Sequence, residues 1–461
     1  MTAAKTGNSL RSNGSRQLVR ELGLIDATSI VVGTIIGSGI FLVPGNVAQH
    51  LQSFSLVLSA WLIGGILSLF GALSLGELGA AFPGAGGLYV YLRQAYGRPV
   101  GFLYGWALIS MIHSGSIATL AVAFSLFAAR FVALDSVEQK AVSIACILLL
   151  TIVNTFGIRH GKMVQNLFTT AKLGGLLTMI LLLFYRGKPI QLINQSQLAD
   201  ISKAGIWIPF GMSLIAILWA YEGWHVVSFA AAEIKEPQRT LPRSLIYGTL
   251  IIVTVYMLAN VAYYSVLTQP ELTGSNAVAA TAVQKAFGPV ATSFISFLIL
   301  VSIFGATNGM ILTGPRVYYA MARDQIFFQF LGRVHPRHKT PHVAILVQGG
   351  LASLLTLLGT FQELFTYVIF TAWIFYGLAI AAVLVLRHRQ PAVDRPYRVP
   401  AYPWPCLVFC AASALITVNT IVADPLHSLV GIALVLAGVL IYPVFRWRGS
   451  RLSSDGTSDP T

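Results

Sequence analysis

Uncharged apolar stretches follow one another almost from end to end of this chain, each near the roughly 20 residues that a helix needs to cross about 30 Å of hydrocarbon. Residues 53–76, 99–129, 141–158, 244–270, 286–315, 340–362, 364–386, 399–423 and 425–445 contain no Asp, Glu, Lys or Arg. Three further stretches carry one charge: 24–50 beside Asp26, 163–185 around Lys172, and 205–232 around Glu222. In lipid a segment must satisfy its own backbone hydrogen bonds, so each stretch reads as a helix. The expectation is an all-α integral membrane protein with 12 transmembrane helices. Its 10% of charged residues, against about 25% in soluble domains, leaves no water-soluble alternative.

The basic residues give the orientation. With these spans, the side bearing the N-terminus collects 23 of the 30 Lys and Arg, the opposite side six, and Lys172 lies inside a span. The positive-inside rule then puts both termini in the cytoplasm of a multi-pass cell-membrane protein. The formal charge of +14 follows the same rule, so the bilayer is the partner and nucleic acid is not. Residues 1–23 are polar and basic, lack a signal-peptide core, and read as a cytoplasmic tail. The three cysteines sit in apolar runs without metal-ligand spacing. No phosphate-binding loop or nucleophile triad appears, which argues against an enzyme and against any cofactor.

Two spans break the rules of a membrane helix. The first contains Gly37-Ser38-Gly39, and the sixth contains Trp219-Ala220-Tyr221-Glu222-Gly223-Trp224. Glycines also let helices pack closely, so the first break alone leaves two readings open. A carboxylate inside a span is by default functional. The spacing joins the two: dividing ten spans five plus five makes each the opening helix of a half. Five is odd, so the second half runs inverted. Interrupted helices at matching positions of inverted halves point to a transporter with its site at the midplane.

The chemistry of such a site follows from helix ends. N–H groups at the start of a half-helix suit a carboxylate, and free carbonyls at the end of one suit an ammonium. Gly37, Ser38 and Gly39 are placed for the first; Ile35 and the carbonyls from Trp219 through Ala220 to Glu222 are placed for the second. A carboxylate and an ammonium at fixed separation describe an α-amino acid.

The run Val32 to Phe41 resembles the first helix of the L-type amino acid transporters, within the amino acid, polyamine and organocation superfamily. So do Gly76 to Gly79 with Pro83 to Gly87, Ala171-Lys172-Leu173, Trp219 to Trp224, Glu233 to Pro237, Phe304 to Gly309, and Leu386 to Arg389. These anchors occur in order along nearly the whole chain. The resemblance implies a LeuT-like five-plus-five inverted repeat with two added C-terminal helices. The divisions expected are a tail (1–23), a first repeat (24–186), an extracytoplasmic connection (187–204), a second repeat (205–390), helices 11 and 12 (391–448) and a tail (449–461).

Residue by residue, the resemblance assigns the substrate carboxylate to Ser38 and Gly39, its amino group to the Ile35 carbonyl, and an aromatic gate to Trp219. Glu222 stands where animal members have Gly, and its side chain faces a vestibule, pairs within the protein, or favours cationic substrates. Lys172 replaces a sodium ion, linking span five to spans one and eight, so sodium-independent exchange is implied. Asn308 and Trp373 approach the vestibule or serve packing, and His225 beside the gate leaves a proton role open. Animal members hold a glycoprotein subunit through a cysteine between helices three and four; residues 131–139 contain none, so no disulfide-linked heavy subunit is expected. The function expected is exchange of neutral amino acids; a proton-coupled amino acid or polyamine symporter and a substrate-sensing receptor are the alternatives.

Overall fold

The computed structural model describes residues 18–188, 205, 207–358, 361–423 and 425–454. Nearly all of the connection expected at 187–204 and most of both tails lie outside the described residues. Among the described residues the regular structure is helical, apart from one parallel bridge between Leu22 and Ile234. Among the described residues, nine helices are long and apolar enough to cross a membrane. One further pair, Leu24–Ile35 and Gly39–His50, is bent by 41°, and two shorter apolar helices, Ile208–Ala220 and His342–Leu358, occupy the sixth and ninth expected stretches. Together these account for the twelve spans of the sequence reading.

In chain order, span one is α1 (Leu24–Ile35) and α2 (Gly39–His50), and span two is α3 (Phe54–Ala81). A short α4 (Leu88–Tyr96) precedes span three, made of α5 (Arg98–Ala107), one wide turn at Leu108–Ile112, and α6 (His113–Ala128). Spans four and five are α7 (Ser136–Thr155) and α8 (Ile158–Arg186). Span six is α9 (Trp207–Ala220) and, after a break, the tight 3₁₀ segment Val226–Glu233. At about 1.5 Å per residue α9 alone falls short of the bilayer, so the second segment is needed to complete the crossing. Span seven is α10 (Pro237–Val266), followed by α11 (Gln269–Thr273) and α12 (Val278–Phe287). Span eight is α13 (Pro289–Thr313), continued by α14 (Pro315–Arg323). The last four spans are α15 (His342–Leu358), α16 (Phe361–Arg389), α17 (Trp404–Ala423) and α18 (Pro425–Ser454).

Local chemistry fixes the starts. At α7, Asp135 Oδ1 accepts from the N–H groups of Val137 and Glu138, and Glu138 Oε2 accepts from Asp135 N–H, a reciprocal capping box. Proline opens α10 and α13, where its missing N–H costs no helical bond.

The packing pairs four spans of the first half with their counterparts five places on. Span two lies along span seven, span three against span eight, span four against span nine, and α2 against α9. This is the pairing that two inverted halves produce. The short helices also match: α4 ends at Gly97 (φ 89°, ψ 176°) before Pro99, and α12 ends at Gly288 (φ 85°, ψ −177°) before Pro289. That backbone region is open essentially to glycine alone.

Two details differ from the sequence reading. The N-terminal tail was expected to run to residue 23, but the N–H groups of Glu21 and Leu22 donate to the Glu233 carbonyl and Lys235 N–H donates to Leu22 O. Leu22 is fully buried, and that apolar side chain draws the end of the tail into the fold. Residues 286–315 are a short helix, a turn and a span rather than one continuous span, because Gly288-Pro289 cannot continue α12.

Candidate functional site

The two broken helices meet. A Cβ placed on Gly39 would come within 2.7 Å of both the Cα and the Cβ of Ala220, so only glycine allows the start of α2 to lie this close to the end of α9. At the second break Gly223 adopts φ 113°, against the backbone and side chain of Thr34. Between the breaks lies a cavity open on one side, about 370 Å³ when counted out to its mouth. Its wall includes Ile35, Gly37, Ser38, Gly39, Trp219, Ala220 and Glu222, all seven residues that the sequence reading assigned to substrate binding. Thr34, Ser116, Leu120 and Met310 complete the lining and were not foreseen.

At the start of α2, the first N–H groups have no acceptor within their own helix. Beside them the Ser38 hydroxyl is fully buried and has no hydrogen-bond partner among the described residues. A buried hydroxyl without a partner is costly, and its place on the cavity wall makes it available to a bound acceptor.

The carbonyls of the first break can be accounted for one by one. Ile35 O accepts from Gly37 N–H at 2.8 Å and from the Tyr256 hydroxyl at 3.1 Å. The same hydroxyl is 3.2 Å from Ala220 O at the other break. One phenol therefore bridges the ends of both half-helices, on the carbonyls that the sequence reading reserved for an ammonium. Tyr256 is held there by edge contacts with Trp61 and a tilted contact with Tyr221, with ring centroids 5.6 and 5.1 Å away. The Ser302 hydroxyl lies 2.9 Å from Ile36 O and 3.0 Å from Gly37 O and shares its proton between them.

Lys172 is fully buried on α8. Its ammonium donates to the carbonyl of Gly33, to Ile36 O at 2.7 Å and to Ser302 O at 3.0 Å. It thus joins span five to spans one and eight, the linkage that the family resemblance implied. Three carbonyl oxygens, from spans one and eight, converge on that one Nζ.

Glu222 lines the cavity, and its Oε1 accepts from the Tyr376 hydroxyl at 2.5 Å. His225 stands behind it, with Nε2 at 3.3 Å from the same hydroxyl and Nδ1 at 3.8 Å from Glu222 Oε1. The carboxylate therefore has partners of its own, from spans ten and six. Asn308 is not on the cavity wall: it donates to Gln165 Oε1 and to Gly161 O, and accepts from Asn154. Trp373 stacks on Phe409 with centroids 5.5 Å apart and likewise lies off the wall. His113 pairs with Met310 O at 2.9 Å. Tyr256 and Ser302 escaped the sequence reading because a hydroxyl in an apolar helix has no signature until the group it faces is known.

Charged groups gather at one end of the bundle. Arg316 and Glu233, both fully buried, form a two-pronged pair with N–O distances of 2.7 and 3.1 Å. Glu77 accepts from Arg387 at 2.8 and 2.5 Å and from Val399 N–H at 2.7 Å. Both acidic residues act as ties between helices rather than as cavity ligands.

A model of the amino acid permease family matches residues 22–444. The chain is 36% identical over 431 residues to the serine/threonine exchanger SteT of Bacillus subtilis, covering 92% of this chain and 96% of that one. It is 34% identical over 435 residues to the human b(0,+)-type amino acid transporter 1, covering 93% and 88%. It is 32% identical over 442 residues to the human Asc-type amino acid transporter 1, covering 92% and 82%.

Proposed function

Since the chain belongs to the amino acid permease family, a family of membrane transporters and not of enzymes, we propose that it is a sodium-independent exchanger of neutral amino acids. The observation that carries this reading is the meeting of two broken helices around one cavity, with an unpartnered Ser38 hydroxyl and helix N–H groups on one side and the Ala220 carbonyl on the other. The substrate carboxylate takes Ser38 and the amides from Gly39 onward. Its ammonium takes the carbonyls of Ala220 and Ile35; Ala220 O keeps a lone pair beyond the Tyr256 bond, and Ile35 O is released when that hydroxyl turns. Trp219 covers the site, Lys172 stands in for a coupling cation, and Asn308 acts on the site from behind the cavity. The two halves rock around the fixed site, exposing it to each side in turn.

Exchange is supported by Lys172, because an ammonium that cannot leave the carbonyls of Gly33, Ile36 and Ser302 gives sodium nowhere to enter. A relative named as a serine/threonine exchanger and others named as amino acid transporters support the substrate class. The carrier sits in the cell membrane with both termini cytoplasmic, as the distribution of Lys and Arg supports. It works without a disulfide-linked subunit, since residues 129–139 offer no cysteine to hold one.

The Glu222, Tyr376 and His225 cluster supports one rival, a proton-coupled symporter. Proteoliposomes separate the two. Uptake of labelled amino acid that requires unlabelled amino acid inside, and ignores both sodium and a pH gradient, is the result expected of an exchanger. Uptake into empty vesicles driven by a pH gradient would establish the symporter instead.

A further inference from the structure

Span five carries a polar stripe along the whole length of α1. Lys162 and Asn166 donate to the Asp26 carboxylate at 3.0 and 2.7 Å, Thr169 donates to Ser29 O at 3.0 Å, Gln165 reaches the same oxygen at 3.4 Å, and Lys172 closes the row. Every donor is on α8, and the acceptors from Asp26 through Ser29 to Gly33 are on α1. The two helices run in the same direction, since Asp26, Ser29 and Gly33 meet successively later residues of α8. Contact is this close because Gly33 has no side chain: a Cβ there would stand 2.1 Å from Thr169 Oγ1 and 2.2 Å from Gln165 Nε2.

Behind the middle of the stripe lies a chain of amides. Gln165 Oε1 accepts from Asn308 at 2.9 Å, and Asn308 Oδ1 accepts from Asn154 at 2.9 Å. Through Gln165 the packed pair of spans four and eight is joined to the backbone of α1. Such a seam differs from an apolar one. Polar contacts between membrane helices each add modestly to the packing that keeps the seam shut. Water can replace each donor when the seam opens, so opening leaves no group unpaired.

We infer that Thr169 and Gln165 are positioning residues of the transport cycle: through the Ser29 carbonyl they hold the first half of span one against span five, and so set the balance between the two access states. Neither lines the cavity. The inference rests on the exchanger reading for its consequence in transport, but the mechanical part can be measured without a substrate.

The full-length protein is reconstituted in lipid nanodiscs, and hydrogen exchange is followed separately in residues 24–35 and 39–50. Thr169→Val keeps the shape and removes the donor; Thr169→Ser keeps the donor. Exchange in 24–35 is expected to quicken about two- to tenfold in Thr169→Val, the population shift that loss of one hydrogen bond produces, with 39–50 unchanged and Thr169→Ser at wild-type rates. Gln165→Met is expected to act in the same direction. Unchanged exchange, or an equal rise in both halves of the span, would overturn the inference. In proteoliposomes the ratio of half-saturation concentrations on the two sides should move by a similar factor in Thr169→Val. A loss of maximal rate at an unchanged ratio would assign Thr169 a merely structural role and overturn it as well. If the wild-type protein exchanges no amino acid, the exchanger reading fails while the hydrogen-exchange comparison still decides the seam.

Discussion

The phenol oxygen of Tyr256 lies 3.1 Å from the carbonyl oxygen of Ile35, across the break in span one. Its single proton also faces Ala220 O, so the two half-helices share one donor. On the proposed exchanger reading, an ammonium with several donors takes over both carbonyls from that hydroxyl.

Replacing Tyr256 with Phe keeps the ring against Trp61 and Tyr221 and removes only that proton. A net hydrogen bond is worth about 0.5 to 1.5 kcal/mol, so exchange should slow about two- to tenfold at an unchanged amount of protein in the membrane. Initial rates of counterflow measure this. Wild-type rates in Tyr256→Phe would mean that the bridge is incidental.

Ser38→Ala separates binding from folding. The hydroxyl has no partner to lose among the described residues and is costly to bury unpaired, so thermal stability without added substrate should match wild type or exceed it by up to about 1 to 3 kcal/mol. Half-saturation for exchange should rise about two- to tenfold if the hydroxyl meets the substrate carboxylate. A loss of melting temperature with unchanged half-saturation would reverse the assignment.

Lys172→Ala strips the donor from the carbonyls of Gly33, Ile36 and Ser302. Unpaired buried acceptors cost about 1 to 3 kcal/mol, and turnover should fall accordingly. In the wild type, replacing sodium with choline should change nothing. A clear sodium requirement in that substitution would remove the role given to the ammonium.

For Glu222 the Tyr376 bond decides the expectation. A free carboxylate about 6 Å from a cationic side chain would contribute between about 0.7 and 3 kcal/mol, depending on the dielectric, and Glu222→Gln would abolish that preference. With its oxygen already engaged by Tyr376, the substitution is expected to lower leucine and lysine uptake alike. A loss confined to lysine would show that the carboxylate selects charge.

The long helices were legible because lipid imposes a constraint that composition records directly: an uncharged stretch of sufficient length has little else to become. The breaks at Gly37-Ser38-Gly39 and at Glu222-Gly223 were legible as local exceptions to the same constraint, and Lys172 as a charge too far from either end of its span. What could not be read was which polar group faces which. Tyr256, Ser302, Gln165 and Thr169 lie in stretches whose apolar character they hardly alter, and their partners are backbone carbonyls, which every residue carries. For Asn308 the family motif left the vestibule and packing both open, and only the structure shows its amide engaged by Asn154 and Gln165. The short helices α4 and α12 went unseen because each abuts a span and was merged with it or taken for loop.

Gly97 and Gly288 end those two helices with nearly the same dihedral angles, one on each face of the membrane. A two-fold rotation in the membrane plane exchanges the faces but, unlike a mirror, keeps the handedness of every residue. The sign of φ is therefore positive at both corners, and a left-handed glycine is demanded twice where a reflection would have asked for it once. Crowding is not the reason: a Cβ on Gly97 would meet nothing nearer than Pro99 Cδ at 3.7 Å, and one on Gly288 nothing within 4 Å. The penalty for a side chain at either corner is torsional and equal, so substitutions facing two chemically different leaflets amount to one experiment performed in two solvents.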